Sequence, residues 1–288
     1  MSDMQAAEAA QELGAKIEAL EMVFGAEYAK GFQDPVIFVK STFHSPTVKQ
    51  FYKREFGIVS RTLMVETVYR RRPTYNQSVL NDFAEMCARK LADILKLLTT
   101  QCERLALICK TSGVEVDASY LHPDHRLVPV IAGPAKGYLG LLAKLDELYM
   151  LTGSANLNGV LDSKGRMQME LLCRKAVRAF SAMVRNESIK LHKESQRMRM
   201  DNSAPDEELD RAERAHGEAV QQFDADMSEQ SAIDPGAHVD PEMAGQVIND
   251  ISTTTSATRT RKTAQKPSAG TVASLEDAAP TNQDKIQA

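Results

Sequence analysis

Apolar positions recur every three or four residues through most of the first 200 residues, which predicts a helix-rich chain. In residues 4–30, Leu13, Ile17, Leu20 and Phe24 alternate with Glu12, Glu18 and Glu21, and Gly31 with Asp34-Pro35 ends the pattern. Residues 77–110 carry the strongest period. Cys87, Leu91, Ile94, Leu98, Cys102, Leu105 and Cys109 follow four-three steps, the mark of a long helix packed on another helix or on a partner chain. A helix from Pro134 to about Leu151 presents Tyr138, Leu141, Leu142, Leu145 and Leu148-Tyr149. After a loop at 153–163, a last helix over 164–199 has the stripe Leu172, Ala176, Ala179 and Met183 and otherwise basic faces.

The period changes to two over residues 36–43, VIFVKSTF, where β-branched and aromatic residues alternate as a strand does. Residues 114–118 and 126–132 read as two further strands around a polar loop, YLHPD. Between strand 36–43 and the long helix, Ser45-Pro46 forms a cap and a first helical proline. Val48, Phe51, Tyr52 and Phe56 mark one helix face, which Gly57 is placed to end in a left-handed conformation. Ser60 is then placed to cap a second helix, 61–72, with Met64, Val65, Val68 and Tyr69 on its apolar side.

Composition narrows the class. The 288 residues are 43% hydrophobic and 26% charged, enough for a sizeable core. No apolar run reaches the ~18 residues of a membrane span, and the N-terminus has no basic region followed by an apolar stretch. Four cysteines, all in helix-like apolar patterns without a C-x-x-C pair, point to a reduced cytoplasmic chain. The net charge of −4 hides a division: residues 201–250 hold 14 acidic and 2 basic residues, whereas residues 1–200 hold 28 basic and 22 acidic. The expected organisation is an N-terminal amphipathic helix at 1–35, a helix-rich DNA-binding and dimerisation domain at 36–200, and a disordered tail at 201–288, acidic and then mildly basic. A transient helix at 205–225 is the only order expected there, so deleting 201–288 is expected to leave the fold intact.

No phosphate-binding loop, dinucleotide fingerprint, nucleophile elbow or H-E-x-x-H pattern occurs, so no catalytic residue, metal or cofactor is assigned. Gly133-Pro134-Ala135-Lys136-Gly137 reads as a strand-to-helix turn. His122-Pro123-Asp124-His125 offers three potential ligands, but no fourth group is aimed at it.

The candidate chemistry lies in residues 40–72. Lys40, Lys49, Lys53, Arg54, Arg61, Arg70, Arg71 and Arg72 face only Glu55 and Glu66, a charge of +6 over 33 residues. The order strand, helix, turn, helix fits a ribbon-helix-helix unit, in which strands from two protomers pair and enter the major groove of double-stranded DNA. In that arrangement Lys40 and Thr42 point at bases while Ile37, Val39 and Phe43 point inward. Lys49, Lys53 and Arg54 contact phosphates, and His44 is a further partly charged DNA-binding candidate of the same stretch. Ser60, Arg61 and Thr62 offer the free amides of a helix N-terminus. A second strand-helix-helix candidate begins at His125 and Arg126, with Pro129 better suited to an edge strand.

Three blocks, VEV at 114–116, RLVPVIAGPAKGYLGLLAKLDEL at 126–148 and CRKAVRAFSAMVR at 173–185, resemble AcaB-type transcriptional regulators of conjugative plasmids and integrative elements. VKSTFHSPTVKQFYKR at 39–54 is also similar to that family's first strand and helix, so the resemblance covers most of 36–185. The family's acidic-aromatic segment is not seen; RRRPTYNQSVL stands at 70–80. The resemblance implies a dimeric ribbon-helix-helix-like activator of transfer genes, with another transcription regulator or RNA polymerase as a further candidate partner. The expected fold is α+β and mostly helical. The alternative is a structural or interaction protein of a conjugation or partition apparatus, contacting its partner through helix 77–110.

Overall fold

The computed structural model describes residues 2–201 and 207–233. Helix α1 (Ser2–Phe24) stops where Gly25 adopts a φ of 88°, a left-handed conformation that glycine accepts without a Cβ clash, and α2 (Ala26–Lys30) follows. The expected single helix over 4–30 is therefore two. Leu20 and Phe24 are buried, while Leu13 and Ile17 stay exposed.

Strand β1 (Ile37–Phe43) pairs antiparallel with β2 (Asp124–Val130) of the same chain. The register sets Val39 opposite Val128, Lys40 opposite Leu127 and Thr42 opposite His125. These strands form the two-stranded sheet, so each retains one free edge. The expectation that β1 pairs with its copy in a second protomer is corrected for this edge: β2 occupies it. Val114–Ala118 forms no strand; that segment is irregular, and the Ala118 N–H donates to Ser154 Oγ at 2.9 Å.

Ser45 caps α3 (Pro46–Phe51), its side chain accepting from the Val48 N–H. Gly57 does not end the helix. Its φ of −60° is helical, and a π-helical turn (Tyr52–Phe56) carries α3 directly into α4 (Gly57–Arg70). Helical breaks of about 1 kcal/mol preference at Gly57 and Ser60 are overridden by the burial of Phe56, Ile58 and Val59 on either side. The wider π turn holds Tyr52, Glu55 and Phe56 all in the interior.

The long helix α5 (Gln77–Thr111) matches the expected stripe: Cys87, Ile94, Leu98, Cys102, Leu105 and Cys109 are buried. They pack within the chain against α6 (Gly133–Leu157) and α7 (Ser163–Asp201). All four cysteines are free and buried. On α7 the buried apolar residues are Cys173, Ala176, Val177, Ala179, Phe180, Val184 and Leu191, so Ala176 and Ala179 of the expected stripe are inside while Leu172 and Met183 lie at its margin.

The acidic segment departs most from expectation. Residues Glu207–Ile233 form α8, packed along α4. Leu209, Ala212, His216, Ala219 and Phe223, at three-four spacing, are buried together with Ala215. The expected disorder from residue 201 therefore fails over 207–233, and removing that helix would uncover α4. The rest of the predicted tail, 202–206 and 234–288, lies outside the described residues.

Candidate nucleic-acid interface

The β1–β2 ribbon has two unlike faces. Phe43, Val128 and Val130 are buried on the inner one. The opposite phase carries Lys40, Thr42 and His125, all exposed, with Thr42 Oγ1 hydrogen-bonded to His125 Nδ1 at 3.0 Å, and at its other end the buried Pro129 and the half-buried Phe38, whose ring lies 5.9 Å from Lys16 Nζ of α1. The alternation expected of β1 thus holds for Lys40, Thr42 and Phe43. Ile37, expected inside, is 61% exposed at the open end of the ribbon.

The ribbon is fixed to α3 by one buried carboxylate. Asp146 on α6 accepts from the backbone N–H groups of His44 (2.7 Å) and Ser45 (2.8 Å) and from His44 Nδ1 (2.8 Å). Carboxylates near the first amides of a helix complement its dipole as well as its free donors. His44 therefore positions the strand-to-helix corner, with its ring directed to Asp146. Lys49 Nζ donates to the His122 carbonyl, which ties α3 to the loop before β2. Lys53 is exposed and Arg54 half-buried; among the described residues neither makes a salt bridge.

The other half of the basic stretch behaves differently. Ser60, Arg61 and Thr62 are buried in mid-helix, so the free helix N-terminus expected there does not exist and these three are not available to a phosphate. Arg61 Nε donates to the Val23 carbonyl at 2.7 Å and Nη1 to the Ala215 carbonyl at 2.9 Å, joining α1 to α8. Burial lowers its pKa, with Glu218 opposing. Thr62 Oγ1 lies 3.2 Å from His216 Nε2. Arg70 pairs with Glu66, Arg71 with Asp34 and Glu208, and Arg72 with Glu208.

Between the halves sits a polar knot that the sequence did not suggest. Glu55, 2% exposed, accepts from Arg178 Nε at 3.3 Å, Tyr138 Oη at 3.1 Å and Ser181 Oγ. Burial pushes the Glu55 carboxyl upward, against the pull of Arg178 and the three hydrogen bonds. The Arg178 guanidinium also lies 5.2 Å from the Phe51 ring centroid. Arg178 thus leaves the basic face of α7, and Arg185 pairs with Asp224 of α8. Arg126, the fallback base-reading residue, is paired with Asp124 at 2.9 Å. Among the described residues no three His, Cys, Asp or Glu side chains converge as metal ligands, and no helix is long and apolar enough to cross a membrane.

No protein-family model matches the sequence, and no curated protein matches it. A crystal structure of selenomethionine-containing AcaB from uropathogenic E. coli is similar in fold, with a TM-score of 0.54 and 19% identity. The match covers 64% of this chain and 100% of that one. At this identity the likeness is one of fold: a mostly helical α+β chain with a small antiparallel sheet, similar to AcaB.

Proposed function

We propose that this chain is a regulator that binds double-stranded DNA, with the outer face of the β1–β2 ribbon entering the major groove. The observation that carries this reading is the alternation that leaves Lys40 and Thr42 exposed on one ribbon phase, beside His125. A two-stranded antiparallel ribbon has the width the major groove admits. Lysine donates to guanine O6 and N7, and threonine hydrogen-bonds or touches a thymine methyl. Lys49, Lys53 and Arg54 on the adjoining helix supply phosphate contacts, which hold the register without reading sequence. The fold shared with AcaB and the resemblance of 36–185 to AcaB-type regulators support the same assignment.

The ribbon of this reading is made within one chain and rests on α1, α3 and α6, so the likeness to ribbon-helix-helix proteins is limited to a ribbon resting on helices. The protein acts as a homodimer, without catalysis or cofactor, to activate conjugative-transfer genes. The alternative reading is a scaffold that grips its partner through helix 77–110; the buried stripe of α5 faces α6 and α7, and Leu95 and Leu107 are large apolar residues that α5 leaves exposed. Selection of the purified chain on random duplex DNA at near-physiological salt tests the proposal. It predicts an enriched sequence with two related half-sites. Folded protein that enriches nothing would refute it.

A further inference from the structure

Where α1, the π turn, β2 and α8 meet, the surface opens into a cleft of about 220 Å³. Its apolar side is made by Val23, Phe56, Ile58 and Ala219. Its polar side holds four cations, Lys53, Arg54, Arg61 and Arg126, and among the described residues no carboxylate lines it. Arg126 pairs with Asp124 at 2.9 Å and Arg61 more loosely with Glu218 at 3.9 Å. Lys53 and Arg54 make no salt bridge among the described residues. Arg61 is only 8% exposed, yet its charge meets two backbone carbonyls, with its nearest carboxylate, that of the largely exposed Glu218, 3.9 Å away. Among the described residues its Nη2 has no hydrogen-bond partner.

The Arg61 guanidinium has one carboxylate, on the largely exposed Glu218, at 3.9 Å, and its fork matches a planar carboxylate in two hydrogen bonds. The geometry points to a binding site for a small organic anion with an apolar body, its carboxylate held by Arg61, Lys53 and Arg54 and its chain laid on Val23, Phe56 and Ile58. The volume is below the roughly 300–1,000 Å³ of pockets for drug-sized ligands, so the body is short. Both halves of the ligand are needed: the cations select the charge and the apolar side selects against inorganic anions.

The test is calorimetric titration of the full chain, without DNA, so that it stands apart from the regulatory proposal. Octanoate is the probe, and 1-octanol, octylammonium and inorganic phosphate are the comparisons. The site predicts saturable one-site binding of octanoate and at least about tenfold weaker binding of each comparison compound. Arg61 also joins α1 to α8, so the decisive variants are on the rim. Lys53→Glu and Arg54→Glu should each weaken octanoate by about tenfold or more, while Arg71→Ala, which is not part of the cleft lining, should not. Octanoate that fails to bind, 1-octanol or phosphate that binds as well as octanoate, or rim variants that bind it unchanged would each overturn the site.

Discussion

Residues 40–54 and residues 61–72 are two halves of one basic stretch, and the fold treats them oppositely. In the first half Lys40 and Lys53 are exposed, and neither they nor Arg54 makes an ion pair among the described residues. In the second half Arg61 is buried under α8, while Arg71 and Arg72 are bound to acidic side chains, Glu208 of α8 chief among them. The acidic helix thus neutralises one half and leaves the other open. A charge count along the sequence cannot separate a cation that holds a helix from one that faces a partner. The separation depends on what packs against each, and here α8 makes the difference.

The comparison breaks most severely at its seam. Replacing Arg178 by Ala leaves the Glu55 carboxylate buried without its cation. Removing one partner of such a pair costs about 3–5 kcal/mol, to be read as a lowered midpoint in urea unfolding. The pair Glu55→Leu with Arg178→Met should recover most of that loss, because an apolar replacement of both partners is often neutral.

Next in size is Phe223→Ala, which empties a buried position of α8 and should cost about 3 kcal/mol. Truncation after residue 200 should also lower the thermal midpoint, since it uncovers the side of α4 that α8 covers. An unchanged midpoint would mean that α8 contributes nothing to the fold.

Acid should loosen the same contact. Burial holds the His216 imidazole down at about 4, below its ordinary 6.5, with His192 and Arg61 adding repulsion. Between these values the unfolded chain takes up a proton that the folded chain refuses, so stability falls as pH drops from 6.5 towards 4. The loss approaches roughly 3 kcal/mol at full protonation of the unfolded state. His216→Asn should flatten the thermal midpoint over that range; an equally steep dependence in the variant would move the cause elsewhere.

The smallest effect is on recognition. Lys40→Ala should weaken specific DNA binding by about 1–3 kcal/mol and relax preference at one base pair. Lys49→Ala should weaken all sequences alike.

Much of the fold was legible where a period ran long. The α5 stripe from Cys87 to Cys109 was readable because its partners, α6 and α7, demand an uninterrupted apolar line. The Ser45 cap was readable because its hydrogen bond to the Val48 N–H is local. Helix α8 carries a period too, Leu209, Ala212, His216, Ala219, Phe223, but small residues and a histidine at its seam hid it behind an acidic composition. Gly57 and Ser60 mimic a helix end and a cap, and local preference lost to the packing around them. The π turn buries Glu55 against Arg178, 123 residues further along the chain, a contact that no local pattern announces. In the candidate site, Lys40 and Thr42 were readable from strand alternation. The burial of Ser60, Arg61 and Thr62 was not, because it is imposed from outside their own helix by α1 and α8.

The most direct test of the two-halves account is the salt dependence of DNA binding, measured by anisotropy on full-length protein. Two double variants are set against the wild type: Lys53→Ala with Arg54→Ala, and Arg71→Ala with Arg72→Ala. Each lost phosphate contact should lower the slope of log affinity against log salt by about 0.9. The account predicts a slope reduced by up to about 1.8 in the first variant and unchanged in the second. Equal slopes in all three proteins, or a reduction only in the second, would contradict it.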